Sequence, residues 1–389
     1  MKTNKNLWVL VFICVINSLG FGIILPLLYA YGKKFGLTEQ LLGLLTASFS
    51  IAQFFATPLL GALSDKFGRK PLLVISLAGT CISFILFAEA RSLIMLFAAR
   101  ILDGLTGGNI SVAQAMVSDS STPADRTKNF GILGSSFAFG FVIGPAIGGM
   151  LSKYGLHVPF YFAAGISLLG VLCSVLFLKE TNVAKGKNNE RHSYSDTFIS
   201  ILTVWSKPVI GTAIFTGFLL TMAQFTMIIG FQTFSIDVLQ VSATTLGWFF
   251  FAFALVGIFA QLSVPLILKT ISSKTLILIS TTTLCLAAML LAGFAKGFII
   301  FGICLTVYGL FNGFRNPMLN SIIADNNTQT QQGKILGINQ SYVSLGQILG
   351  PIGAGFVGGL SVHMIFFLSA LYILIALLFT FRLRSKEQN

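Results

Sequence analysis

Arg100 and Asp103 stand three residues apart inside the apolar run 93–117, and Gly107, Ser111 and Gln114 continue that spacing of three or four. On one unbroken helix such spacing places all five on a single face. An acid beside a base supports two chemistries. One is a structural ion pair; the other is a carboxylate that takes up a proton when the pair loosens. Asp103 is the one acid well inside an apolar run, and an isolated charge at the centre of a bilayer costs about 2.5–3.5 kcal/mol. A second polar set, Asn312, Arg315, Asn316 and Asn320, lies in the run 298–323. Asn17 in the run 7–29 and Gln224 in the run 208–233 add polar groups. Phe21, Phe225 and Phe231 offer an aromatic wall for a flat hydrophobic molecule.

The elements that must carry these residues follow from composition. The chain has 389 residues, 55% hydrophobic and 10% charged, with a mean hydropathy of +0.87. That balance excludes an ordinary soluble globule. Apolar runs of the length needed to cross a hydrocarbon core as helix recur near 7–29, 42–63, 71–90, 93–117, 129–151 and 159–178, then near 208–233, 246–267, 276–295, 298–323, 335–360 and 364–381. The expected fold is an all-α polytopic membrane protein of twelve transmembrane helices. Two six-helix bundles, 1–178 and 208–389, are joined by a polar linker, 179–207. The first run follows Lys2 and Lys5; it is too long for a signal peptide, lacks a small-residue cleavage site, and reads as the first span.

Of the 25 Lys and Arg residues, 18 fall on the side that holds both termini and the linker, which places that side in the cytoplasm of a cell membrane. The net charge of +13 is then an orientation signal, and no nucleic-acid partner is expected. Cys14, Cys81, Cys173, Cys285 and Cys304 sit in apolar runs without paired spacing, so neither a metal site nor a disulfide is indicated. His157, His192 and His363 read as loop residues, and no nucleophile and base are paired. The chain is expected to be no enzyme, to use no cofactor, and to act as a monomer.

One polar turn stands out: Gly61, Asp65, Gly68, Arg69 and Lys70, between the second and third runs. Gly68 permits a tight turn and Pro71 suits the start of a helix. Sliding the chain by 206 lays Asp119 on Asp325, Thr122 on Thr328, Lys128 on Lys334, Gly131 on Gly337 and Ser135 on Ser341; it also lays Gly140, Gly144, Pro145 and Gly149 on Gly346, Gly350, Pro351 and Gly355. Two six-helix repeats of this kind suggest a binding site near the membrane midplane. At an offset of 204 Lys70 meets Lys274, but Lys269 replaces Asp65 and Ser273 replaces Arg69. Gly140, Gly144 and Gly148, every fourth residue, clear one helical face for a close neighbour, and Pro145 removes a backbone donor.

The turn motif, Arg100 with Gly104, and the stretch Gly140–Gly149 together resemble the major facilitator superfamily. Within it the chain is similar to the twelve-helix drug/proton antiporters, above all the tetracycline exporters. The resemblance implies that Asp65 and Arg69 form a cytoplasmic latch with Asp119 and the facing end of the eleventh span. The plain alternative is a topology-fixing turn. It also implies that Gly140, Gly144, Pro145, Gly148 and Gly149 form the antiporter motif, and that the first, fourth, seventh and tenth spans line a central cavity. Where the tetracycline exporters typically carry acids in the first and third spans, this chain has Asn17 and Ser83. The expected function is export of a small amphipathic, drug-like compound in exchange for protons by alternating access. The alternatives are export of an endogenous metabolite such as a siderophore or sugar, or a membrane sensor that does not transport.

Overall fold

The computed structural model describes residues 5–107, 109–182, 208–271, 273–326 and 332–388. The described secondary structure is helical throughout: α1 (Lys5–Gly32), α2 (Glu39–Phe67), α3 (Arg69–Ala88), α4 (Leu93–Thr106), α5 (Asn109–Ser120), α6 (Pro123–Leu151) and α7 (Val158–Phe177), then α8 (Pro208–Thr233), α9 (Ala243–Thr270), α10 (Lys274–Gly293), α11 (Phe298–Asn312), α12 (Arg315–Asp325), α13 (Gln332–Gly358) and α14 (Val362–Gln388). Eleven helical stretches among the described residues are long and apolar enough to cross a membrane; α13, 27 residues long, stands at the remaining expected span. Large apolar side chains such as Ile94, Leu262, Phe294 and Leu360 are exposed. Water would penalise that surface, whereas lipid solvates it. The chain is a multi-pass membrane protein.

The helices form two compact units. One comprises the described residues within Met1–Leu37, Ser48–Glu190 and Val241–Phe251, the other those within Thr38–Ala47, Arg191–Gln240 and Ala252–Asn389. In the first, α1 lies along α6 on the face cleared by glycine. A Cβ added at Gly144 would sit 2.7 Å from the Leu19 carbonyl oxygen and 2.8 Å from the Gly22 Cα; one at Gly148 would meet the Ile23 carbonyl oxygen at 3.0 Å. Leu10, Ile13, Leu73, Leu77, Val112, Met116 and Val117 pack into a common core. In the second unit the core is aromatic, with Phe234 4.4 Å from Phe301 and Phe366 against both.

The repeat is visible in how backbones cross. A Cβ on Gly149 would lie 3.0 Å from the Gly247 Cα within the first unit, and a Cβ on Gly43 would lie 3.0 Å from the Gly355 Cα within the second. Gly149 and Gly355 are the 206-offset pair, and Gly43 and Gly247 are the 204-offset pair.

Two features differ from expectation. The fourth and tenth spans each carry a local interruption: α4 passes to α5 at Gly107, and α11 to α12 at Gly313–Phe314, where both residues keep right-handed helical dihedrals. Glycine is a weak helix former and Gly107–Gly108 doubles the effect, while Pro317 has no N–H to donate to the Gly313 carbonyl four residues back. Arg100 and Asp103 lie on α4, before the interruption at Gly107, and Ser111 and Gln114 lie on α5. His363 is not a loop residue; it opens the first turn of α14, 5.3 Å from the Phe234 ring, with Nδ1 3.1 Å from the Gly293 carbonyl oxygen. Phe231 is fully buried, with its ring centroid 5.9 Å from that of Phe301. His192 lies outside the described residues, as does the linker from residue 183 onward.

Candidate functional site

The glycine break that ends α4 is held by a side chain from α2: Gln53 Nε2 donates to the Gly107 carbonyl at 3.1 Å. One turn earlier Arg100 and Asp103 are both buried, 3% and 7% exposed. Arg100 Nη1 stands 3.4 Å from Asp103 Oδ2, long beside the 2.7–2.9 Å usual for charge-assisted bonds. The guanidinium lies instead over the Phe49 ring, 4.3 Å from its centroid, a cation–π contact that stabilises it when desolvated. Arg100 Nε and Thr80 Oγ1 are buried without a hydrogen-bond partner. The ion pair itself is thus loosely held. Asn17 and Ser111 are half-buried, while Gln114 on α5 is exposed.

In the second unit the polar residues gather on the other break. Arg315, the first residue of α12, donates from Nη1 to the Leu220 carbonyl (2.9 Å), from Nη2 to Gln224 Oε1 (2.7 Å) and from Nε to Asn316 Oδ1 (3.2 Å). A cavity of about 10 Å³, room for one water, is lined by Arg315, Asn312, Thr281 and Thr282. Asn320 stands apart, accepting from Asn339 at 3.5 Å. The breaks themselves are repeat partners, since 206 separates Gly107 from Gly313 and Gln114 from Asn320.

The polar turn forms a knot of charge. Arg69 Nη1 is 2.7 Å from Asp65 Oδ1 and donates to Ser64 Oγ at 2.8 Å, while Arg69 Nε reaches Asp119 Oδ2 at 3.1 Å. Gly68 adopts φ 107°, which glycine alone visits without strain. A Cβ on Gly61 would meet nothing within 4 Å, so packing does not demand glycine there. The side chains that open α13, at 332–334, lie outside the described residues. Lys70 Nζ donates to the Val175 carbonyl at 2.8 Å. The counterpart turn keeps one ion pair, Lys274 with Asp325, displaced by one residue from the Arg69–Asp119 contact it mirrors.

Sequence reasoning missed the brace beneath this knot. Residues Lys179–Asn182, read as the start of the linker, are anchored. Glu180 accepts from the Arg69 and Lys70 amides, the first two of α3, at 3.0 and 3.2 Å. Asn182 Nδ2 donates to the Asp65 carbonyl (2.8 Å), Thr181 Oγ1 to Asp119 Oδ2 (3.3 Å), and Asn6 exchanges two bonds with Lys179. Burial raises the Glu180 pKa, but backbone N–H bonds from Asn182, Arg69, Lys70 and Thr181 outweigh it and hold the group below the usual carboxylate range. Its contribution is therefore complete above the pH at which a free glutamate ionises, and is lost as pH falls through the lowered value. Glu180→Gln at neutral pH is expected to speed exchange of the Arg69 and Lys70 amides about tenfold or more, because bonds to charged acceptors contribute about 1.5–3 kcal/mol. Hydrogen-exchange mass spectrometry that finds the turn equally protected would dismiss the brace.

A lipid-solvated helical bundle whose spans break where buried charged and polar side chains collect has the build of a membrane transporter. A sequence profile of the Major Facilitator Superfamily matches residues 10–295 and 214–389. The tetracycline resistance protein, class H, of Pasteurella multocida is 30% identical over 92% of this chain and 90% of its own. Multidrug resistance protein 2 of Bacillus subtilis (strain 168) is 26% identical over 100% and 99%. A solved bacterial homolog to the human lysosomal transporter Spinster, inward-facing and unoccupied, shares the fold with a TM-score of 0.81 at 15% identity, covering 98% of this chain and 97% of that one. The chain belongs to the Major Facilitator Superfamily.

Proposed function

We propose that the protein exports small amphipathic, drug-like compounds across the cell membrane in exchange for protons, by alternating access, with both termini in the cytoplasm. The relatives named for tetracycline and multidrug resistance support the cargo class. The observation that carries the coupling is the buried, loosely bonded Arg100–Asp103 pair. A carboxylate so placed stays charged while the guanidinium is near and takes a proton when the two part. The knot around Arg69 acts as the cytoplasmic latch, since its ion pairs favour one access state only if that state holds them together. Gln224, Asn312 and Arg315 contribute to the substrate site. Everted vesicles given a proton gradient are expected to accumulate a transported dye and to lose it when a protonophore is added. Accumulation that ignores the protonophore would refute proton coupling.

A further inference from the structure

Arg315 is a buried cation, 8% exposed, whose hydrogen bonds all go to neutral acceptors: a backbone carbonyl and two side-chain amides. No carboxylate among the described residues lies within ion-pair distance of it, in contrast to Arg100. Nor does its half of the sequence offer one. From residue 208 onward the only acids are Asp237, Asp325 and Glu387. Asp325 lies ten residues along α12, about 15 Å away by helical rise, and is taken by Lys274. Asp237 follows Gln224 by thirteen residues, about 20 Å along α8 and its continuation. Glu387 is the penultimate residue of α14.

The cavity beside Arg315 is lined by no carboxylate among the described residues. Thr281, Thr282 and Asn312 are among its polar lining residues. The planar Arg315 guanidinium matches an oxyanion in two-bond geometry. Gln224 Oε1 now occupies one of those donors from a half-buried side chain.

Resting on the exporter reading, we infer that this site receives an anionic group of the cargo, so that the preferred substrates are aromatic organic acids or zwitterions and not lipophilic cations. The bound carboxylate displaces the Gln224 oxygen and neutralises a cation that has no carboxylate partner among the described residues.

The test uses the purified full-length protein in detergent and two probes, a zwitterionic fluoroquinolone and its carboxyl methyl ester, which share rings and amine and differ in one charge. Isothermal titration is expected to give the acid at least about tenfold tighter binding than the ester, as a charge-assisted bond implies. Arg315→Gln is expected to reduce acid affinity to that of the ester while ester binding stays, and Arg315→Lys to keep part of the preference. Equal affinities for wild type, including no binding of either probe, overturn the inference, as does an undiminished preference in Arg315→Gln. If Arg315→Gln loses ester binding too, Thr282→Val decides: a selective fall in acid affinity supports the site and an unchanged preference overturns it. Vesicles without export of any probe, combined with an intact acid preference, would sink the exporter reading alone.

Discussion

Asp103→Asn is expected to reduce proton-driven accumulation to the level of empty vesicles while downhill exchange of substrate persists. The side chain keeps its size and its place between α3 and α4 but can no longer gain or lose a proton. The complication is Arg100. Removing one partner of a buried ion pair strands the other, typically at a cost of about 3–5 kcal/mol, so a folding defect alone could mimic lost coupling. Phe49 tempers this, because its ring continues to face the guanidinium. The double variant Arg100→Gln, Asp103→Asn removes both charges and is expected to recover thermal stability without recovering coupling. Measured together, substrate-induced proton release and melting temperature separate the two roles. Stable single-variant protein with normal proton release would move the proton to another group, such as Glu89, which accepts from the Tyr161 hydroxyl, or to the substrate itself.

The second large effect is steric. Gly144→Val is expected to lower stability by about 1–3 kcal/mol or more, the usual cost of overpacking, because its Cβ meets backbone atoms of α1 at 2.7–2.8 Å and backbone cannot turn aside. The two helices must separate along their longest shared face, and Gly22, whose own Cβ would lie 3.1 Å from the Gly144 Cα, leaves no slack. Gly131→Ala on the same helix is the control, with nothing within 4 Å of its added methyl. Thermal scans of the two proteins in one detergent should differ by several degrees. Equal melting points would mean that the α1–α6 contact does not limit stability.

Much of this architecture is legible in the sequence, and the exceptions share a cause. The spans are legible because lipid demands about 20 apolar residues per crossing, and the repeat because small residues needed at backbone crossings recur at fixed offsets. The breaks at Gly107 and Gly313 were not anticipated: overall apolarity argued for continuous helices, and the local signals, Gly107–Gly108 and Pro317, concern one missing or weakened hydrogen bond each. Glu180 was missed because its partners are all backbone amides, two of them more than 100 residues away, which leave no side-chain pattern to find. Phe49 was one of 38 phenylalanines, and only geometry distinguishes the ring under Arg100. The knot residues Asp65, Arg69 and Asp119 were grouped through the family resemblance, and the structure does bring them together.

The two broken spans have an ancestry that the fold itself records. Duplication of a six-helix gene would have copied both the break and the chemistry around it, yet only the break persists in both copies. Beside Gly107 stands the Gln53 amide; beside Gly313, at the matching position, stands Gly257, whose carbonyl oxygen a Cβ on Gly313 would meet at 2.5 Å. One copy carries a cation matched by an acid, the other a cation that no acid matches among the described residues. The bend is thus common to both halves, while the charge beside it is private to each.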